Sequence, residues 1–172
     1  MPEPKEISLS EIERGARVLH VGFDLGFYDR AQLDAWVTHA IEALEAIPDP
    51  LLELATLAHR SDQEIVDLLA ELAAPGSWEE RARIEIGMLA EMEAKGRLEL
   101  GAAIGRSLFA STDAAFELRG ELYGIEDAYE LARAGAYGSV EEARREYRAF
   151  ASRYRPLASW DPSASVAPPH AP

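Results

Sequence analysis

Ser77-Trp78-Glu79-Glu80-Arg81-Ala82-Arg83-Ile84-Glu85-Ile86-Gly87-Met88-Leu89-Ala90-Glu91-Met92-Glu93-Ala94-Lys95-Gly96 opens the stretch from which the architecture follows. At about 100° per residue, Trp78, Ala82, Ile84, Ile86, Met88, Leu89 and Met92 spread over an arc of roughly 200°, wider than a surface helix needs. A helix with that distribution is covered on two sides. After Gly96 the apolar pattern resumes with Leu98, Leu100, Ala102, Ile104, Leu108 and Phe109. Gly101 and Gly105, four residues apart, are expected to let another backbone come close. The region reads as the centre of a helical domain and carries no catalytic pattern.

Working outward, a capping residue followed three positions later by Glu or Gln recurs wherever helical periodicity begins. The pairs are Ser8/Glu11, Asp29/Gln32, Ser61/Glu64, Ser77/Glu80 and Ser139/Glu142. In each, the first side chain accepts from a free backbone N–H and the second reaches back. The expected fold is all-α, a single domain over residues 1–155 with about seven to nine helices, arranged as an orthogonal bundle or a short array of helical hairpins.

Toward the N-terminus, a first helix is expected from Leu9 to Val21, ended by Gly22. Gly22-Phe23-Asp24-Leu25-Gly26-Phe27-Tyr28 follows as a turn. Leu33, Trp36, Val37, Ala40, Ile41 and Leu44 then repeat at helical spacing over Arg30 to Ala46, and Pro48 stops that helix. Asp49 is expected to cap a short helix with Pro50 at its first position, where proline is harmless. A further helix over Asp62 to Ala73 turns Ile65, Leu68, Leu69 and Leu72 inward, and Pro75-Gly76 closes it.

Toward the C-terminus, Asp113 to Tyr123 and Ile125 to Ala134 are either two helices or one bent at Gly124, with Gly135 as the C-terminal cap. Val140, Ala143, Tyr147, Phe150 and Tyr154 form a narrow seam on a last helix, which a second copy of the chain could share. The charged face of that helix, Glu141, Glu142, Arg144, Arg145, Glu146 and Arg148, is expected to be solvated. From Pro156 onward Pro, Ala and Ser dominate, with five of the ten prolines, so residues 156–172 are expected to form a disordered tail on which only Leu157 and Trp160 could dock.

Composition narrows the function. The chain has 172 residues, no cysteine and a net charge of −14. Disulfides, thiolate nucleophiles and cysteine-ligated metals are thereby excluded. Neither a signal peptide nor a span of about 18 apolar residues is legible, which points to a soluble cytoplasmic protein without a membrane partner. Residues 1–80 hold 17 Asp or Glu and 5 Lys or Arg, a balance of −12, against −2 for residues 81–172. A field of that sign repels nucleic acid and attracts basic surfaces.

Chemistry-bearing motifs are missing. None of His20, His39, His59 and His170 has Glu three residues before it, as bundle di-metal sites require, and there is no His-Glu-x-x-His. Gly-x-Ser-x-Gly is absent, and the Gly22/Gly26 and Gly101/Gly105 pairs lack any phosphate-binding context. No catalytic residue, metal ligand or cofactor is therefore assigned. Two clusters remain as candidate surfaces. One presents Asp24, Tyr28 and Asp29 beside Asp34 and Glu42 of the acidic second helix, where an interface hot spot would meet Arg or Lys. The other joins Tyr123, Tyr129 and Tyr137 with Glu126, Asp127 and Glu130.

The Gly22 to Tyr28 turn, the Leu51-Leu52-Glu53-Leu54-Ala55-Thr56-Leu57 segment followed by Ile65 to Leu72, and a tyrosine-bearing end at Tyr154-Arg155-Pro156 resemble the bacterial family known as domain of unknown function 2247. Ala136-Tyr137-Gly138 departs from its pattern of an acidic residue, tyrosine and proline. The family has no assigned activity, so the resemblance implies no catalytic residue. By analogy of appearance, small acidic helical proteins of this kind include immunity proteins that block a basic toxin. The expected function is thus a non-enzymatic interaction module with a basic protein partner, a toxin domain being one example. The alternative is a helical enzyme or small-molecule binder with a pocket beside the central helix.

Overall fold

The computed structural model describes residues 7–113 and 116–169, and among them every regular element is helical. The described residues form two compact units, 7–76 with 160–169, and 77–113 with 116–159. No helix of the described residues is long and apolar enough to cross a membrane.

The first unit holds α1 (Leu9–Asp24), α2 (Arg30–Ala43), α3 (Asp49–Leu54) and α4 (Asp62–Leu72), with a 3-10 turn at Leu57–His59. Its caps behave as the sequence demands. Ser8, Asp29 and Ser61 each accept from the third backbone N–H of their helix, and Glu11, Gln32 and Glu64 return the bond. The contacts from the backbone and hydroxyl of Ser61 hold the Glu64 carboxyl below its ordinary range. α1 does not stop at Gly22. That glycine is buried in the helix, and Gly26 instead takes the left-handed conformation at φ 67° while Phe27 and Tyr28 donate to the Gly22 carbonyl. α3 differs as well, because Pro48 is its N-cap and Asp49 belongs to its first turn.

Ile12, Ala16 and Leu19 of α1, Leu33, Trp36 and Val37 of α2, and Ile65 and Leu69 of α4 are buried. Packing of α1 on α4 and of α3 on α4 organises the unit. Arg17 of α1 donates to the carbonyls of Ala73 and Ala74 at 3.0 and 3.3 Å, supplying cationic donors where the C-terminus of α4 leaves carbonyls unpaired.

The second unit holds α5 (Trp78–Ala94), α6 (Leu100–Ala110), α7 (Phe116–Arg133), α8 (Val140–Ala151), a 3-10 turn at Ser152–Tyr154 and α9 (Arg155–Ala158). α5 is its centre and packs on α6, α8, α9 and the 3-10 turn. Cover extends to the side opposite Leu89. Gly87 is buried there, and a Cβ on it would lie 2.5 Å from the Tyr154 carbonyl oxygen. Three residues of the apolar pattern depart from it, one being Ala102, which is exposed on α6. The other two stand at helix ends, Trp78 at the first helical position, 67% exposed, and Phe109 in the last turn of α6, 82% exposed.

Gly101 and Gly105 do not admit a backbone. A Cβ at Gly101 would meet the Tyr129 hydroxyl at 2.8 Å, and Gly105 faces open space. α7 runs unbroken through Gly124, and Gly135 has the expected left-handed φ of 68°. The Asp113 helix start touches residues 114–115, which lie outside the described residues. The α8 seam is used within the chain, since Tyr147 and Phe150 are buried in the unit's own core and Val140 and Tyr154 pack against it.

The charged face of α8 is not simply solvated. Glu93 of α5 is 6% exposed, and both Arg144 and Arg148 reach it. Arg148 donates through Nε and Nη2 at 2.8 and 3.2 Å, and Arg144 through Nε at 3.0 Å.

The expected disordered tail is also corrected. Residues 156–169 are ordered, with Leu157 and Ala158 buried in α9 and Trp160 and Val166 each 6% exposed. Residues 170–172 lie outside the described residues.

Candidate functional site

Of the five candidate surface residues, Asp24, Asp29, Asp34 and Glu42 are exposed and Tyr28 is not. Tyr28 is 4% exposed, its ring meets Trp160 edge to face at 6.2 Å, and its hydroxyl donates to the Trp160 carbonyl at 3.1 Å. It is an anchor for the C-terminal segment of the first unit, so it drops out of the surface. Sequence reasoning placed it beside two aspartates in a turn, and only the burial of its ring separates the two roles.

Burial first, then the Asp161 carboxylate, push the Tyr28 phenol far above its ordinary value. In the second unit, burial raises Tyr147 to about 12, against a Ser107 hydrogen bond and with help from the Glu93 carboxylate. Both pKa values are raised on folding from about 10, so the stability they carry is complete below pH 10 and falls as pH rises above it. The unfolding free energy from urea titrations is expected to fall between pH 10 and 12, by as much as about 1.4 kcal/mol per pH unit for each phenol. Tyr147→Phe should flatten that slope. An identical slope in the variant would contradict the assignment.

Asp24 and Asp29 stand on the rim of an open hollow with Asp62 and Gln63, floored by Phe23, Leu25 and Val66. Each rim position has a local cause. Asp24 ends α1, Asp29 caps α2, and Asp62 opens the first turn of α4. Arg30 is the cation of this hollow, and it is committed to Asp62 and to the Leu57 and Arg60 carbonyls. Arg60 is likewise held by Glu53 and Glu64. No ion pair among the described residues engages Asp24, Asp34 or Glu42, so their charge remains open to solvent.

The four exposed carboxylates do not converge on one point. Asp34 and Glu42 sit with Thr38 on the solvent side of α2, and the rise of that helix puts Glu42 about 20 Å from Asp29. The surface is therefore a stripe that ends in a hollow. A long, rim-type contact suits steering and orientation of a charged partner more than enclosure of a small molecule.

The tyrosine cluster of the second unit is not assembled. Tyr123 is exposed under Arg119, whose guanidinium stands 5.4 Å from the ring centroid. Tyr129 turns toward Gly101 of α6, and Tyr137 lines a shallow hollow with Gly138, Ser139 and Glu142. Beside α5, Glu93 is satisfied by two arginines, Ser107 by Tyr147 at 2.9 Å and Ser111 by the Leu108 carbonyl at 2.8 Å, whereas the Nε of Arg83 on α5 itself is buried without a hydrogen-bond partner. Among the described residues no group of three His, Asp or Glu side chains is placed to hold a metal.

No protein-family model, no curated protein and no solved structure matches the chain.

Proposed function

With no family to supply a role, we propose that the protein is a non-enzymatic interaction module whose acidic N-terminal unit engages a basic protein partner, as an immunity protein engages a toxin. A cytoplasmic setting belongs to the same reading. The observation that carries it is the unneutralised carboxylate stripe of Asp24, Asp29, Asp34 and Glu42, beside a hollow whose cation, Arg30, is already spent on Asp62. Charge placed this way raises the encounter rate with a basic surface and orients it. The effect fades with salt because the screening length is about 10 Å at 0.1 M and about 3 Å at 1 M.

The test is affinity capture of the tagged full chain from its native cell extract, followed by association kinetics with the captured protein. A single basic protein retained at low salt and released at high salt is the expected result. Replacing Asp24, Asp34 and Glu42 together by lysine should slow association about tenfold at low salt, with little change in dissociation, as for rim charges generally. A partner indifferent to salt, a binding site confined to residues 110–155, or an empty capture at both salts would each overturn the reading.

A further inference from the structure

α2 takes little part in the helix packing of its unit. α1 packs on α4 and α3 packs on α4, while α2 meets chiefly α3. Yet its Trp36 is the largest fully buried side chain among the described residues, and Leu33, Val37 and Ala40 are buried on the same helix. Residues 160–169 supply part of the missing cover. Trp160, Pro162, Val166 and Pro168 of that segment are themselves buried.

The segment grips α2 at its entry and at its middle. Tyr28, which precedes the Asp29 cap, donates to the Trp160 carbonyl at 3.1 Å and stands edge to face with the Trp160 ring. Further along, Trp36 Nε1 donates to the Val166 carbonyl at 2.9 Å. Gly15 of α1 lies against both partners of that bond, since a Cβ there would be 2.9 Å from the Val166 carbonyl oxygen and 3.0 Å from Trp36 Cζ2. α1, α2 and the segment therefore meet at one point. The segment also stiffens itself. The Asp161 carboxylate accepts from the Ser163 N–H and hydroxyl at 3.0 and 2.7 Å, and the Trp160 indole donates to the Ser165 carbonyl at 3.0 Å. Its prolines hold φ fixed and bring no N–H that burial could strand.

We propose that residues 160–169 are a strap that docks α2 on the rest of the first unit. Resting on the partner-binding role proposed above for the acidic stripe, the strap then regulates that surface, because Asp34 and Glu42 ride on the solvent side of α2. With the strap seated the stripe has a fixed place beside the hollow. With the strap lifted, Trp36 loses its buried acceptor and α2 keeps its contact with α3 as its main anchorage. Along the chain the whole second unit separates α2 from its strap. During synthesis α2 therefore stays undocked until the second unit has been made, which reverses the usual order in which the N-terminal unit folds first.

Amide hydrogen exchange of the full-length chain is the test. It reads docking with no partner present, so a stripe that binds nothing would leave the result unchanged. Trp160→Ala with Val166→Ser removes two buried apolar anchors of the strap. In that variant the amides of α2 should exchange about a hundredfold faster or more, those of α1 and α4 should be accelerated at least tenfold less than α2, and those of the second unit should be unchanged. No acceleration in α2, or equal acceleration in α1, α2 and α4, overturns the proposal. If the variant loses its helical circular dichroism, native-state exchange of the wild type in low urea decides the matter. The Trp36 indole N–H reports the strap directly, because its acceptor is the Val166 carbonyl. That N–H and the α2 amides opening together, at lower urea than α1 and α4, supports the strap. Their opening separately, or only together with α1 and α4, overturns it.

Discussion

Gly87→Ala is expected to destabilise the second unit by about 3 kcal/mol, although alanine is the better helix former by about 1 kcal/mol. The added methyl would lie 2.5 Å from the Tyr154 carbonyl oxygen and 3.0 Å from its carbon, and backbone cannot rotate away as a side chain would. The 3-10 turn or α9 must move off α5 instead. At roughly 2–4 °C per kcal/mol for a chain of this size, the loss corresponds to a melting temperature lower by about 6–12 °C. Gly124→Ala is the control, because Gly124 is also helical but has nothing within 4 Å of its would-be Cβ. That substitution should stabilise by about 0.5–1 kcal/mol. If both variants moved in the same direction, the close approach at Gly87 would be wrong.

Removing both cations from Glu93, as Arg144→Ala with Arg148→Ala, should cost about 3–5 kcal/mol. The reason lies in the asymmetry of the cluster. Glu93 has a side chain 4% exposed, whereas those of Arg144 and Arg148 are 30% and 47% exposed. Losing the arginines therefore strands a buried anion, while Glu93→Leu only returns two cations to solvent and should cost less. The triple variant should recover most of the loss, since an apolar residue replacing a buried ion pair is often neutral or better. Chemical denaturation of the three variants closes the cycle. If the effects of Glu93→Leu and the double arginine change simply add, the buried cluster does not couple them.

Neither of these features was visible as such in the chain. Gly87 reads like any helical glycine. The glycines singled out by spacing, Gly101 and Gly105, face a tyrosine ring and open space. Arg144 and Arg148 read as part of a solvated face because their partner lies 51 and 55 residues away in the sequence, on α5. Glu93 is one of five glutamates on α5, and no local pattern marks it as the buried one. For the candidate surface, the exposure of Asp24, Asp29, Asp34 and Glu42 was legible because exposed acids follow from the polar side of amphipathic helices and from capping. Tyr28 was misplaced because an aromatic in a turn serves a surface or a core with equal ease.

What the sequence determined by itself is local. Ser8, Asp29, Ser61, Ser77 and Ser139 start their helices because a side-chain oxygen within reach of the third N–H acts across one turn, whatever the rest of the chain does. The all-helical class and the buried positions of α1, α2, α4 and α5 follow from the same short-range periodicity. The tertiary structure alone decided which glycine meets a backbone, which glutamate is buried, and whether a segment rich in Pro, Ala and Ser lies free. Residues 160–169 have too little apolar surface to order themselves, and they are held because Trp36, Tyr28 and the space at Gly15 meet them from elements more than a hundred residues distant. Such contacts depend on complementarity between distant surfaces, which no local pattern in either surface records.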